Sequence, residues 1–383
     1  MPAAFHSLVV TAESPYPPTS GVPLRNWQNI NALARLGRVD LLSLGVQAAP
    51  AHIPLVDAWE HVVLERGDAQ SQTGYPILTE PQAEQALPAI RRLVAERQPD
   101  LVLFENIAIP NMTGLSGNQH LVFDSHNVFA ALMRELGRPV DGVRALESHF
   151  MAACDQVWLC SDADASLVRA EYGARVRTAV IPNAIDMEFY TPVANGVRPR
   201  ARTSVSTLAF IGAYWYEPNR QGALWLLRHV LPLLREREPA TRLVFVGPGA
   251  TDEMCLAAHD DSAVVVTGPV ADVRPFLAAA GAVAIPLFAG GGTRFKALEA
   301  LAAKRPVVTT SKGVEGLDVS DGVDVMVRDD PNGFAEAVLA IWRDARLASR
   351  LTENGYALVE RLYAWPVAQA RVQSALAQLR VGT

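Results

Sequence analysis

The sequence predicts an α/β protein with two Rossmann-like, doubly wound parallel-sheet domains. Three observations carry this. Short β-branched apolar runs alternate with longer helical patterns along the chain, which is the rhythm of βαβ units. That rhythm breaks once, near residue 200, and then restarts. The chain has 383 residues, half of them hydrophobic and 19% charged, enough for two cores at roughly 100–200 residues per domain.

In the first half the expected strands are 7–12, 39–44, 61–64, 101–105, 120–124, 156–160 and 178–181, with helices at 24–36 and 80–97 among the connections. In the second half they are 207–211, 242–247, 263–267, 282–286, 306–310 and 325–328. Runs such as Leu101-Val102-Leu103-Phe104 have no polar side, as parallel strands covered on both faces require. Residues 191–206, TPVANGVRPRARTSVS, have no apolar periodicity and read as a linker. The expected organisation is therefore an N-terminal domain 1–190, a linker 191–206 and a C-terminal domain 207–363. A C-terminal segment 364–383 follows Trp365-Pro366, with a helix at 367–379 expected to pack back on the N-terminal domain. Open α/β sheets bind ligands beyond the carboxyl ends of their strands, so two facing crevices would form a cleft.

The formal net charge of −6 argues against broad nucleic-acid binding, which needs a basic face. No apolar run approaches the ~20 residues of a membrane span, and MPAAFHSLVVTAE lacks a charged segment followed by a long apolar one. The expected location is cytoplasmic, with peripheral membrane contact through an amphipathic patch left open. Cys154, Cys160 and Cys255 form no CxxC pair and read as reduced, buried thiols. No histidines have metal-ligand spacing such as HExxH, and no DxD pair follows a strand; Asp162-Ala163-Asp164 reads as a helix cap. No metal and no resident cofactor are expected.

The most informative stretch is 282–308, AVAIPLFAGGGTRFKALEALAAKRPVV. A buried strand ends at Pro286, and Gly290, Gly291 and Gly292 follow. Then come Thr293, Arg294, Phe295 and Lys296, and a helix expected over 297–303 with Thr293 as N-cap. Glycines let a ligand approach the backbone closely, and a helix N-terminus favours an anion such as phosphate. Lys296 adds a full charge. Glu299 lies three residues on, on the same helical face, where a carboxylate can accept hydrogen bonds from a ribose diol. A glycine turn, a cation and a diol-binding carboxylate within ten residues suggest a nucleotide-diphosphate site. The plainer alternative is a helix cap with a solvated i,i+3 ion pair. GxxxxGK[ST] is absent, so the run is not a P-loop.

With its EALAAKRPVV continuation this stretch resembles the donor-binding region of the retaining glycosyltransferases of family 4, the group 1 family. Further landmarks of that family match in order across nearly the whole chain. They are Ile181-Pro182-Asn183-Ala184-Ile185-Asp186, Phe210-Ile211-Gly212 with Glu217-Pro218-Asn219, Val244–Gly249 (VFVGPG), and Val314-Glu315-Gly316-Leu317. The resemblance implies the GT-B fold, two Rossmann-like domains facing across a cleft. It also implies transfer of a sugar from a nucleotide-diphosphate donor to an acceptor hydroxyl of a glycan, glycolipid or small natural product. The reaction would retain anomeric configuration and need no metal, with the donor as co-substrate. Two positions depart from the family. The first glutamate of its E-x7-E pattern falls on Gly291, and the arginine that many members carry after the Gly-ending strand falls on Ala213. Arg294 is the candidate to supply the missing charge, with Arg220 second; an arginine fork suits two phosphate oxygens.

In the first domain, Phe123-Asp124-Ser125-His126-Asn127 follows a strand. The resemblance implies that His126 contacts the donor sugar; without it, a core histidine bonded to backbone is the alternative. Gly21, after Ser14-Pro15-Tyr16-Pro17-Pro18-Thr19-Ser20, matches the family's first loop, where the backbone nears the donor phosphates. Arg25 is a candidate contact for donor or acceptor, or a surface arginine. Glu105 and Asn106 end a strand and are candidates for the acceptor side, or for structural roles. Three other readings have specific requirements, and the first, a two-domain sugar-binding protein of the periplasmic type, would need an export signal of a kind that MPAAFHSLVVTAE does not show. A two-Rossmann oxidoreductase needs GxGxxG, and the nearest match, Gly247-Pro248-Gly249, has Asp252 where the third glycine belongs. A GT-B nucleotide-sugar epimerase would keep the same nucleotide site.

Overall fold

The computed structural model describes residues 5–45, 52–64, 78, 80–106, 108–109, 115, 117–196, 206–291 and 294–381. The chain divides into two compact units, residues 1–183 with 366–383, and residues 184–365.

The first unit is a seven-stranded sheet. Its strands are β1 (Phe5–Thr11), β2 (Gly37–Gly45), β3 (Ala58–Val63), β4 (Leu101–Glu105), β5 (His120–Ser125), β6 (Gln156–Leu159) and β7 (Thr178–Val180). They lie in the order 3-2-1-4-5-6-7, and every pairing is parallel. The connecting helices are α1 (Gly21–Ala34), α2 (Glu80–Arg97), α3 (Phe129–Glu135), α4 (Asp141–Ala153) and α5 (Asp162–Tyr172). Between β1 and β4 the winding reverses, which is where open sheets of this kind leave their ligand crevice. All five residues of β4 are buried, the pattern of a strand covered on both faces. The core continues through Phe104, Phe123 and Phe150, whose rings meet edge to face at 4.9–5.5 Å.

Residues 128–143, which carry no readable pattern in the sequence, fold into α3 and the start of α4. The buried Glu147 of α4 caps α3 from outside. Its Oε1 accepts from the Phe129 amide at 2.8 Å and its Oε2 from Ala130 at 2.9 Å, meeting donors a helix leaves unsatisfied at its start. A cap reaching back from residue 147 has no local signature.

The second unit opens with α6 (Met187–Gly196) and holds a six-stranded parallel sheet. The strands are β8 (Thr207–Ile211), β9 (Arg242–Val246), β10 (Val264–Val266), β11 (Ala282–Ile285), β12 (Val307–Thr309) and β13 (Met326–Val327), in the order 10-9-8-11-12-13. Here the switch point lies between β8 and β11. The helices are α7 (Glu217–Trp225), continued through a π turn (Leu226–Val230) into α8 (Leu231–Arg237), then α9 (Asp252–Asp260), α10 (Arg274–Ala279), α11 (Phe295–Ala302), α12 (Pro331–Arg343) and α13 (Ala345–Leu362). The last helix, α14 (Trp365–Val381), belongs to the first unit from Pro366 on and buries Ala368, Val372, Ala375, Leu376 and Leu379.

Two local expectations are corrected. Residues 191–196, expected as linker, are the second half of α6, because Tyr190, Val193 and Ala194 form a buried helical face that outweighs Pro192. Of the three unpaired cysteines, only Cys160 is fully buried, and Cys255 is exposed on α9. Among the described residues no helix is long and apolar enough to cross a membrane.

Candidate active site

In the second unit the glycine-rich stretch leaves the carboxyl end of β11, at the switch point, and enters α11. Gly292 and Thr293 lie outside the described residues. The N-cap position of α11 is Arg294, in extended backbone, rather than Thr293, so Lys296 is the second residue of the helix. It donates through Nζ to Asn219 Oδ1 on α7, and its ammonium lies 4.8 Å from the centre of the Phe210 ring. Asn219 is held in turn by a 2.9 Å bond from its Nδ2 to the Ala213 carbonyl. Gly212, at the end of β8, makes room for this arrangement. A Cβ there would fall 2.9 Å from Asn219 Nδ2 and 3.1 Å from Lys296 Nζ. Burial pushes the Lys296 ammonium down to about 7, with the Arg294 charge acting in the same direction and Glu299 opposing. An amine kept in this state gains from a nearby anion.

Arg294 is 8% exposed. Its guanidinium turns back on its own loop, donating to the carbonyls of Gly291 and Gly290, the latter at 2.7 Å. Its Nε is buried and has no hydrogen-bond partner among the described residues. Gly290 adopts φ 116°, backbone open to glycine, and a Cβ there would stand 3.1 Å from Arg294 Nη2. The glycine thus leaves room for the arginine. Glu299 accepts a 2.7 Å hydrogen bond on Oε1 from the Tyr190 hydroxyl of α6. Burial raises its carboxyl above the usual range, while Tyr190 and Lys296 work against the rise. Arg220, the second candidate for phosphate, is half exposed and engaged with Glu217 Oε2 at 2.6 Å, one turn earlier on α7.

In the first unit, β4 and β5 bring Glu105, Asn106, Asp124 and His126 to the switch point, all buried. His126 Nε2 lies 3.2 Å from both Glu105 Oε2 and Asp124 Oδ2. Among the described residues the partners of this nitrogen are thus two carboxylates. Burial alone would lower the imidazolium, but the two acids override it and raise it. Glu105 is pushed up to about 7, first by burial and then by the Asp124 charge. Burial would raise Asp124 as well, yet the Arg25 guanidinium beside it holds it well below the usual carboxylate range. Asn106 sits at φ 52°, rare for a side-chain-bearing residue, and its buried Oδ1 has no hydrogen-bond partner among the described residues.

Arg25 is corrected to an internal role. It is 1% exposed, and its fork grips Asp124 through Nε at 2.8 Å and Nη2 at 2.7 Å. Nη1 donates to the Ile181 carbonyl at 2.6 Å and to Asn183 at 3.1 Å. Its donors are spent inside the unit, and what it positions is the Asp124–His126 pair. Asn29, one turn further along α1, donates to both Glu105 and Asp124, at 3.0 and 2.8 Å. Glu105, Asp124 and His126 are close enough to gather a metal ion. Asp124 Oδ2, which faces His126, already accepts from both Arg25 and Asn29, so its two lone pairs are committed, while Oδ1 accepts from Arg25. Gly21 is the exposed first residue of α1, with no acidic residue in that turn. Asn219, Tyr190, Asp124 and Asn29 escaped the reading of sites from sequence. Asn219 and Asp124 lie in family-like segments, but Lys296, which Asn219 meets, and Arg25 and Asn29, which hold Asp124, are far away in the chain.

With this geometry established, two family models match. Residues 19–189 match Glycosyltransferase Family 4, and residues 205–344 match Glycosyl transferases group 1. The chain belongs to the group 1, family 4 glycosyltransferases. Both of its sheets have the α/β architecture of this GT-B family. Among solved structures, sucrose-phosphate synthase from Thermosynechococcus elongatus is similar with a TM-score of 0.78 and 16% identity, over 99% of this chain and 100% of that one. Anabaena HepE, solved in complex with UDP-glucose, gives a TM-score of 0.69 and 16% identity, over 97% and 99%. A curated relative, an uncharacterized 44.6 kDa protein in the cps region of Klebsiella pneumoniae, is 24% identical over 161 residues. That match takes in 40% of this chain and 42% of the length of the relative.

Proposed function

We propose that the chain is a glycosyltransferase that moves a sugar from a nucleoside-diphosphate donor to an acceptor hydroxyl. The observation that carries the reading is the Lys296 ammonium. It is part-buried, set at the β8–β11 switch point in the first turn of α11 after a glycine-rich loop, and among the described residues its Nζ donates to the neutral Asn219 rather than to a carboxylate. Such a group is poised for a diphosphate, with Glu299 on the same helix to receive the ribose. The UDP-glucose bound by Anabaena HepE is consistent with a donor of this class.

The difficult step is cleavage of the anomeric C–O bond while charge builds on the departing diphosphate. Fixed positive groups aimed at that charge stabilise the transition state more than the ground state. Lys296 and the α11 N-terminus do this without a divalent ion, and Arg294 joins them when its guanidinium leaves the glycine carbonyls for phosphate oxygens. In the first unit, Glu105 and Asp124 orient His126 and favour its charged form. We further propose retention of anomeric configuration, with the acceptor hydroxyl attacking on the leaving-group face and the diphosphate taking its proton. The acceptor is a glycan, a glycolipid or a small natural product.

Calorimetric titration of UDP, GDP, ADP and dTDP with EDTA present, against wild type and Lys296→Ala, tests the reading. One nucleotide should bind selectively, and binding should weaken in the variant by about 2–5 kcal/mol, the cost of truncating one partner of a buried charge pair. No binding at millimolar concentration to the wild type would refute it. Product analysis with the matching sugar nucleotide then separates transfer from epimerisation.

A further inference from the structure

Lys296 and Glu299 sit three residues apart on one helix, a spacing at which an ammonium and a carboxylate ordinarily meet. In a part-buried setting their attraction is far stronger than in water. Pairing would neutralise the cation meant for a diphosphate and the carboxylate meant for a diol. Each has a neutral partner instead. Lys296 donates to Asn219, and Glu299 accepts from Tyr190. Tyr190 comes from α6, 109 positions earlier in the chain, and is 3% exposed.

The phenol is firmly placed. The carbonyl of Phe189 accepts from Arg274 Nη1 at 3.0 Å, and the guanidinium lies 3.9 Å from the centre of the Phe189 ring. Asp272 holds Arg274 from the other side at 2.8 Å. The Phe189 and Tyr190 rings stand edge to face at 5.1 Å. A carboxylate offers about four lone-pair positions. Tyr190 uses one, on Oε1, and the rest suffice for the two hydroxyls of a ribose.

We propose that Tyr190 is a specificity-determining residue of the nucleotide site: it holds the Glu299 carboxylate apart from Lys296, turned to accept both ribose hydroxyls, so that the site selects ribonucleotides over 2′-deoxyribonucleotides. This rests on the nucleotide-sugar reading. A ligand without the 2′-hydroxyl leaves a desolvated carboxylate oxygen short of a donor, and a site built to hydrogen-bond a hydroxyl discriminates strongly against its absence. Without the phenol, Glu299 is free to swing to Lys296, and the diol loses its fixed acceptor.

The test compares the nucleoside diphosphate that binds best with its 2′-deoxy form, by calorimetry on the full chain. Wild type is expected to prefer the ribonucleotide by about tenfold or more. Tyr190→Phe keeps the ring and its packing and should reduce that preference to about threefold or less, chiefly by weakening the ribonucleotide. Glu299→Gln should reduce it similarly, and the double variant should go no further than either single one, as groups acting as a unit do. An unchanged preference in Tyr190→Phe, an equal loss for both ligands, or tightest wild-type binding of dTDP would overturn the proposal. Failure of every nucleotide to bind wild type would instead sink the function reading, so the two failures are distinguishable.

Discussion

At the scale of single residues, two charged side chains make sharp predictions. Lys296 has its ammonium pushed down to about 7 by burial, whereas a diphosphate beside it favours the protonated form. Binding should therefore take up a proton at neutral and mildly alkaline pH. Affinity should be full below about pH 7 and fall as pH rises above it. Titrations in buffers of different ionisation enthalpy should show that uptake in wild type and lose it in Lys296→Ala. Arg25 is the opposite case, a buried cation that grips Asp124 with two donors, while His126 stands on the same carboxylate at 3.2 Å. Arg25→Ala leaves Asp124 with only His126 and Asn29 among these partners and should cost about 3–5 kcal/mol of stability. Arg25→Lys keeps the charge but loses the fork, so a large part of that loss should remain in urea denaturation.

Elements place these residues, and at that scale the sequence was most legible. β4, β8 and α2 stand where the apolar runs and the helical period put them, because buried parallel strands are short, continuous and apolar. The glycine run and Lys296 were legible for a similar reason, since loop, cation and carboxylate lie within ten residues. Tyr190 and Asn219 were not. Their roles depend on tertiary contacts spanning 109 and 77 positions, and no local pattern marks them. Arg25 misled for the same reason. In the first turn of a helix it looks available to a ligand, and only the positions of Asp124 and Ile181 show that its donors are spent. Gly222 on α7 tests how tightly an element sets the site. A Cβ there would lie 2.3 Å from the Pro286 carbonyl oxygen, so α7 or the end of β11 must move. Gly222→Val should cost about 1–3 kcal/mol as overpacking. Because Asn219 rides on the same helix, it should also weaken nucleotide binding, which calorimetry on the folded variant would read.

The whole molecule is two sheets wound in the same sense, each reversing between its first and fourth strands in sequence order, and each gathering its charged cluster at that reversal. The covalent order does not follow the structural one, since α13 lies in the second unit and α14, beginning two residues after Tyr363, lies in the first. The buried stripe Ala368, Val372, Ala375, Leu376 and Leu379 ties α14 there through apolar burial, worth about 1.5–3 kcal/mol for each fully buried large aliphatic side chain. A ligand that binds the folded second unit stabilises it by about 2.7 kcal/mol at a hundred times its dissociation constant. Hydrogen exchange should register this first in α11, α7 and the β8–β11 strands. Amides of residues 366–381 should keep pace with β1–β7, not with the neighbouring α13, although only a few residues of chain separate the two helices. If α14 instead gains protection together with α13 when nucleotide is added, its assignment to the first unit is wrong.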